Sequence, residues 1–145
     1  MSRTTASTGG GVELNLEDDA PYLGVLVSAA IEKSKNPAYP DDRLKVVWEA
    51  KQGATVFDWL SIKLGEMPGG GYAKLRQLLN ALAEKPKDAE VWFDAATLEW
   101  GYDMAAGSPA FAVLTPGMAV TFRGENGKNA KGDKVYRIKS YRPAK

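Results

Sequence analysis

Neither cysteine nor histidine occurs anywhere in the 145 residues. The first absence rules out disulfides, thiolate nucleophiles and thiolate-held metals, and the second removes the other common zinc ligand and the commonest general base. Carboxylates, lysines and tyrosines are what is left for chemistry. The expectation is therefore a protein that is not an enzyme and uses no metal or cofactor. No apolar run approaches the ~20 residues that cross a bilayer. Residues 1–11 are small, polar and glycine-rich, without the hydrophobic stretch of a secretion signal. A soluble protein with no membrane partner, staying in the cytoplasm where it is made, is expected. A strong overall charge is missing too: 19 basic and 18 acidic residues leave +1.

Charge is instead sorted by position. Between Gly117 and Lys145 stand Arg123, Lys128, Lys131, Lys134, Arg137, Lys139, Arg142 and Lys145 against only Glu125 and Asp133, a net +6. Residues 1–20 carry Glu13, Glu17, Asp18 and Asp19 against Arg3, a net −3. A basic patch on a neutral protein can track phosphates without making the whole surface adhesive. The first 20 residues read as a flexible acidic arm, leaving residues 21–145 as the folded domain. Such an arm either solubilises the chain or folds over the basic patch and competes with phosphate.

Hydrophobic spacing sets the elements. Leu23, Val25, Val27, Ala29 and Ile31 recur at period two, which predicts a first strand over residues 22–31 with these side chains inward. Residues 44–50 and 54–60 alternate likewise around the turn at Gln52-Gly53, so the first three strands form an antiparallel meander. From Tyr72 the period lengthens to that of a helix, with Leu75, Leu78, Leu79 and Leu82 on one face and a stop before Pro86. Residues 91–102 suggest an extended piece followed by a helical turn capped by Asp94. Residues 118–123 and 134–141 are the fourth and fifth strands. Three strands, a helix and two strands give a mainly β chain with one helix: a five-stranded OB-like β-barrel, the helix between strands three and four. Its interior would hold Leu23, Val25, Val27, Val46, Trp48, Leu75, Leu79, Val120 and Phe122.

The 44–60 strand-turn-strand, the leucine-rich helix, the Phe93-Asp94 pair and the terminal Val135-Tyr136-Arg137-Ile138-Lys139-Ser140-Tyr141-Arg142-Pro143 run can be set beside known families. Together they resemble the small phage-encoded OB-fold single-stranded DNA-binding proteins found with replication and recombination genes. The resemblance implies a DNA-binding protein of phage-type replication or recombination, working in the host cytoplasm. Single-stranded DNA would be its ligand, with replication or recombination proteins as further partners.

Binding a single strand without sequence preference needs cations along a groove and flat side chains on which bases stack. Candidate cations are Arg123 on the fourth strand, Lys128, Lys131 and Lys134 in the following loop, and Arg137 and Lys139 on the fifth strand. Alternation puts Tyr141 on the same outer face as Arg137 and Lys139. Phe57 and Trp59 share one face of the third strand. If Val56 and Leu60 are core, the two rings form a base platform flanked by Lys45 and Lys51; if the rings are core, Asp58 is a surface carboxylate. A different class of reading is a virion or host-interaction protein without nucleic-acid affinity, self-associating through Trp92, Trp100 and Tyr102. Two motifs imitate enzymes. Pro40-Asp41 with Glu49-Ala50-Lys51 mimics a metal-dependent nuclease, but no alternating strands and helices surround it. Gly69-Gly70-Gly71 precedes a helix, yet lacks the Gly-Lys-Ser/Thr of a phosphate loop.

Overall fold

The computed structural model describes residues 16–33, 42–50, 53–62, 64 and 73–144. In chain order the elements are β1 (Tyr22–Glu32), β2 (Arg43–Ala50), β3 (Thr55–Ser61), α1 (Lys74–Leu82), β4 (Trp92–Asp94), β5 (Glu99–Gly101), β6 (Ala112–Val113), β7 (Ala119–Lys128) and β8 (Lys134–Pro143). β1, β2 and β3 pair as the predicted antiparallel meander. β7 then adds to the other side of β1 and β8 to β7, giving a five-stranded antiparallel sheet of order β3-β2-β1-β7-β8. Short strands β4, β5 and β6 make a second sheet of three. The helix thus follows β3 but leads into the small sheet, and helix and small sheet together separate β3 from β7. Lys51, the 40–41 half of the nuclease-like motif and the 69–71 glycine run lie outside the described residues.

β1 reverses its predicted facing. Leu23, Val25 and Val27 are exposed, and Tyr22 and Leu26 are buried in their place. The cause sits at Gly24, an inward position whose missing side chain makes room for Phe122: a Cβ there would lie 2.6 Å from the Phe122 ring. A glycine on the core face carries no hydrophobic signal, so the wrong face of β1 looks apolar. A bulge that skips Val27 between the Leu26–Trp48 and Ser28–Val47 pairs then turns Ala29 and Ile31 toward the core. The other predicted interior residues, Val46, Trp48, Leu75, Leu79, Val120 and Phe122, are all buried.

The sheet does not close into the predicted barrel. Among the described residues no backbone ladder joins its edges, β3 and β8. Side chains join them instead. The Tyr141 hydroxyl on β8 donates to Asp58 Oδ2 on β3 at 2.7 Å and accepts from Trp48 Nε1 on β2 at 3.1 Å. From α1, Lys74 Nζ donates to both Asp58 oxygens at 2.9 and 3.1 Å and to the Ile138 carbonyl at 3.0 Å. Asp58 is only 7% exposed, and its burial raises the carboxyl above the usual 3.8 despite the lowering effect of Lys74. Burial, followed by the charge of Asp58, likewise pushes the Tyr141 hydroxyl well above its ordinary range. A buried charge of this kind persists only when paired and hydrogen-bonded.

α1 lays Leu75, Leu78 and Leu79 on the core. Its end is fixed by buried Asn80, whose amide donates to the Lys87 and Ala89 carbonyls at 3.2 and 3.0 Å and whose Oδ1 accepts from the Tyr102 hydroxyl at 2.8 Å. Asp94 caps no helix. It accepts from the Ala96 N–H at 2.9 Å and from Leu98 through its carbonyl, making the tight turn between β4 and β5. Trp100 is buried, and Trp92 and Tyr102 are half-buried, so this aromatic cluster covers the body of the protein.

A second bulge, in β8, skips Lys139 opposite the Arg123–Gly124 step of β7. A Cβ on Gly124 would collide with the Arg137 carbonyl oxygen and lie 2.9 Å from Ile138 Cα, both backbone atoms of β8. Gly124→Ala must therefore push the two strands apart. A loss of about 1–3 kcal/mol in urea unfolding is expected, and an unchanged midpoint would show that the β7–β8 pair yields without cost.

Candidate nucleic-acid interface

Val56, Asp58 and Leu60 turn inward on β3, so Phe57 and Trp59 face solvent, 39% and 45% exposed. Their rings lie nearly parallel, 24° between planes and 6.2 Å between centroids. Lys45 on β2, the cross-strand partner of Trp59, holds its ammonium 5.3 Å from the Phe57 centroid and 5.5 Å from that of Trp59. Both distances suit attraction of a cation to a ring face. Glu32, at the end of β1, completes the group. It accepts from Trp59 Nε1 at 3.2 Å and faces Lys45 Nζ at 3.6 Å. The indole is thereby anchored by its edge while the side chain stays exposed. Two exposed, similarly tilted rings beside one cation form a surface on which flat groups can stack.

The predicted basic residues are spread along the β7–β8 hairpin, and several are engaged within it. Lys139 is ion-paired with Glu125, and Arg137 donates to the Lys128 carbonyl at 3.2 Å. Lys128, Lys131 and Lys134 are exposed at and beside the hairpin tip. Arg123 is not on open surface. Residues 16–20 pack over this part of β7: Leu16 is buried, the Asp19 N–H donates to the Gly124 carbonyl at 2.8 Å, and Arg123 donates to the Asp19 carbonyl at 3.3 Å. Asn126 binds the Asp18 carboxylate through its backbone N–H at 2.9 Å and its side-chain amide at 3.0 Å, which lowers the Asp18 pKa, the backbone bond contributing most. The acidic residues closest to the folded body therefore sit on the strand that was to supply phosphate contacts. Tyr141 is a second correction. The bulge at Lys139 shifts the alternation of β8 by one, so Tyr141 is buried in the seam and offers no stacking face.

The outer face thus carries Phe57, Trp59 and Lys45 on one edge of the sheet and Arg137 and Lys139 on the opposite edge strand. Reading the sequence missed Glu32, which carries no local signal because its partners Lys45 and Trp59 come from β2 and β3. It also missed a groove of roughly 710 Å³ between the C-terminal end of α1 and β8, lined by Lys85, Lys87, Lys139 and Arg142 among others. Lys85 and Lys87 flank Pro86 just past the helix, too far in sequence from the basic hairpin to be grouped with it.

Replacing Glu32 by Gln removes the carboxylate beside the platform while keeping a hydrogen-bond acceptor for Trp59. The Lys45 ammonium is then available to a phosphate. If a single-stranded oligonucleotide stacks on this surface, its affinity at low salt should rise severalfold, with the salt slope steeper by about 0.7, the value of one extra phosphate contact. Weaker binding by fluorescence anisotropy would instead make the negative charge of Glu32 itself necessary for placing Trp59. Among the described residues no helix is long and apolar enough to cross a membrane. No protein-family model and no curated protein matches this chain.

Proposed function

We propose that the chain is a non-catalytic single-stranded DNA-binding protein built on an OB-like, partly open barrel, serving phage-type replication or recombination in the cytoplasm. The observation that carries this reading is the solvent-facing Phe57–Trp59 pair beside Lys45. It lies on β2 and β3, the strands whose outer surface takes oligonucleotides in OB folds. The strand order β3-β2-β1-β7-β8, with its two edges meeting at a side-chain seam, supports the OB-like part of the reading. Stacked rings accept only bases that have left the duplex stack, so the surface favours single strands and is tolerant of sequence. The burial of Trp100 weighs against the rival reading of a contact protein centred on residues 92–102.

Fluorescence anisotropy with labelled single- and double-stranded oligonucleotides over a sodium chloride series tests the proposal. Tight single-strand binding that weakens with salt and varies little with sequence is expected. Equal affinity for duplex, or none for either, rejects it. A parallel RNA oligonucleotide tells whether the 2′-hydroxyl matters, since stacking alone does not read it.

A further inference from the structure

We infer that the groove between the C-terminal end of α1 and β8 is the phosphate track of the same binding site; this rests on the single-strand reading above. Its described lining brings together Lys85, Lys87, Lys139 and Arg142 with the neutral polar groups of Gln77 and Ser140, and contains no carboxylate. Lys85, Lys87 and Arg142, together with Lys139, whose ammonium is shared with Glu125 outside the lining, and the amide and hydroxyl groups match the side chains that contact nucleic-acid backbones. An aromatic platform for bases is absent from the lining, because Tyr141 is turned into the core. The groove therefore suits the charged backbone of a strand and not its bases.

The platform has the complementary deficit. Its one described cation, Lys45, is already faced by Glu32, so phosphates of a strand stacked there must be neutralised elsewhere. The seam puts the two features on adjoining strands. Asp58, between Phe57 and Trp59 in sequence, is bonded to Tyr141, which stands between Ser140 and Arg142 of the groove. The base-stacking strand and the cationic strand are thus the two lips of one seam.

One wall of the groove is also prearranged. The Lys85 N–H donates to the Asn80 carbonyl at 2.8 Å, Asn80 holds the Lys87 carbonyl, and Arg76 donates to the Asp88 and Ala89 carbonyls at 2.6 and 3.2 Å. The turn that presents Lys85 and Lys87 is fixed before any ligand arrives, so binding orders side chains and not backbone. Lys85 further rests 5.1 Å from the Tyr102 ring centroid. An acidic peptide would share the charge but needs pockets for its side chains, and the apolar lining offers only Ala81, Pro86 and Pro143 with the edge of Tyr141.

The test compares the wild type with the triple variant Lys85→Gln, Lys87→Gln, Arg142→Gln by anisotropy on a labelled oligothymidylate over a salt series. Three lost phosphate contacts should flatten the slope of log K against log salt by about 2, at about 0.7 per contact. The charge-preserving variant Lys85→Arg, Lys87→Arg, Arg142→Lys should keep the wild-type slope, and thermal melting should match throughout. A slope unchanged in the Gln variant, with binding still lost on removing Trp59, overturns the groove and leaves the single-strand reading intact. Absence of wild-type binding overturns both. Displacement of the oligonucleotide by poly-glutamate at equal charge concentration would assign the groove to an acidic protein and overturn the inference.

Discussion

On the proposed single-strand reading, Trp59→Ala should lower affinity for a single-stranded oligonucleotide by about fivefold to 150-fold, the equivalent of the roughly 1–3 kcal/mol that one stacked base contributes. Phe57→Ala has a smaller effect of the same sign, because its ring offers less area. The double variant should fall short of the sum, since the rings stand side by side and share the Lys45 contact. Stability should change little in either case. Both side chains are more than one-third exposed, so truncation leaves no cavity in the core. Loss of binding with an unchanged melting curve therefore isolates stacking from folding. The salt slope supplies a second readout: it stays at the wild-type value when a ring is removed, because no phosphate contact has gone. An affinity that survives both truncations would end the platform reading.

Asp58→Ala has the opposite profile, a large loss of stability. The alanine leaves the Lys74 ammonium without its carboxylate and the Tyr141 hydroxyl without its acceptor, at the place where β3, β8, β2 and α1 meet. Removing one member of a buried pair costs about 3–5 kcal/mol, and the lower end applies here because the Lys74 side chain is 32% exposed. Urea unfolding reads the loss directly. Changing Asp58→Leu together with Lys74→Met, while keeping Tyr141 as the acceptor for the buried Trp48 N–H, should recover part of it, since no charge is then stranded. A near wild-type midpoint for Asp58→Ala would show that the seam does not hold the sheet edges.

The same carboxyl makes stability depend on pH. Its folded-state pKa is raised by burial above the ordinary 3.8, so the folded protein binds this proton more tightly than the unfolded chain does. The contribution is fully present below the ordinary value and is lost as pH rises through the raised one. Relative to Asp58→Asn, which cannot titrate at this position, the wild type should lose ground as pH rises from the ordinary 3.8 through the raised folded-state value. A gap that widens with pH would mean that Lys74, and not burial, governs the carboxyl.

The parts of this architecture that announce themselves in sequence are those fixed by local spacing. The helix leucines and the alternation of Val46, Trp48, Val56 and Leu60 report burial directly, because each side chain's neighbours in sequence lie on the opposite face. Three features escape such reading. Gly24 makes room for Phe122, a residue 98 positions away, so its role has no local trace. The bulges at Val27 and Lys139 each shift the period by one, which turns Ile31 inward and takes Tyr141 from the surface to the core. Asp58 looks like an ordinary surface carboxylate until Lys74 and Tyr141 are brought to it from 16 and 83 residues away. Alternation leaves two facings open for Phe57 and Trp59, and the burial of Val56, Asp58 and Leu60 turns the two rings to solvent. The docking of residues 16–20 depends on Asn126, more than 100 residues away.

Among the described residues, β3 and β8 are held to each other by side chains where their neighbours are held by ladders, so this line should open more readily than the ladders do. Backbone amides beside that line should exchange with solvent earlier than those of β1. A ligand that straddles the line would act as a clasp, slowing exchange on both edge strands at once, whereas one confined to a single lip would quiet only its own.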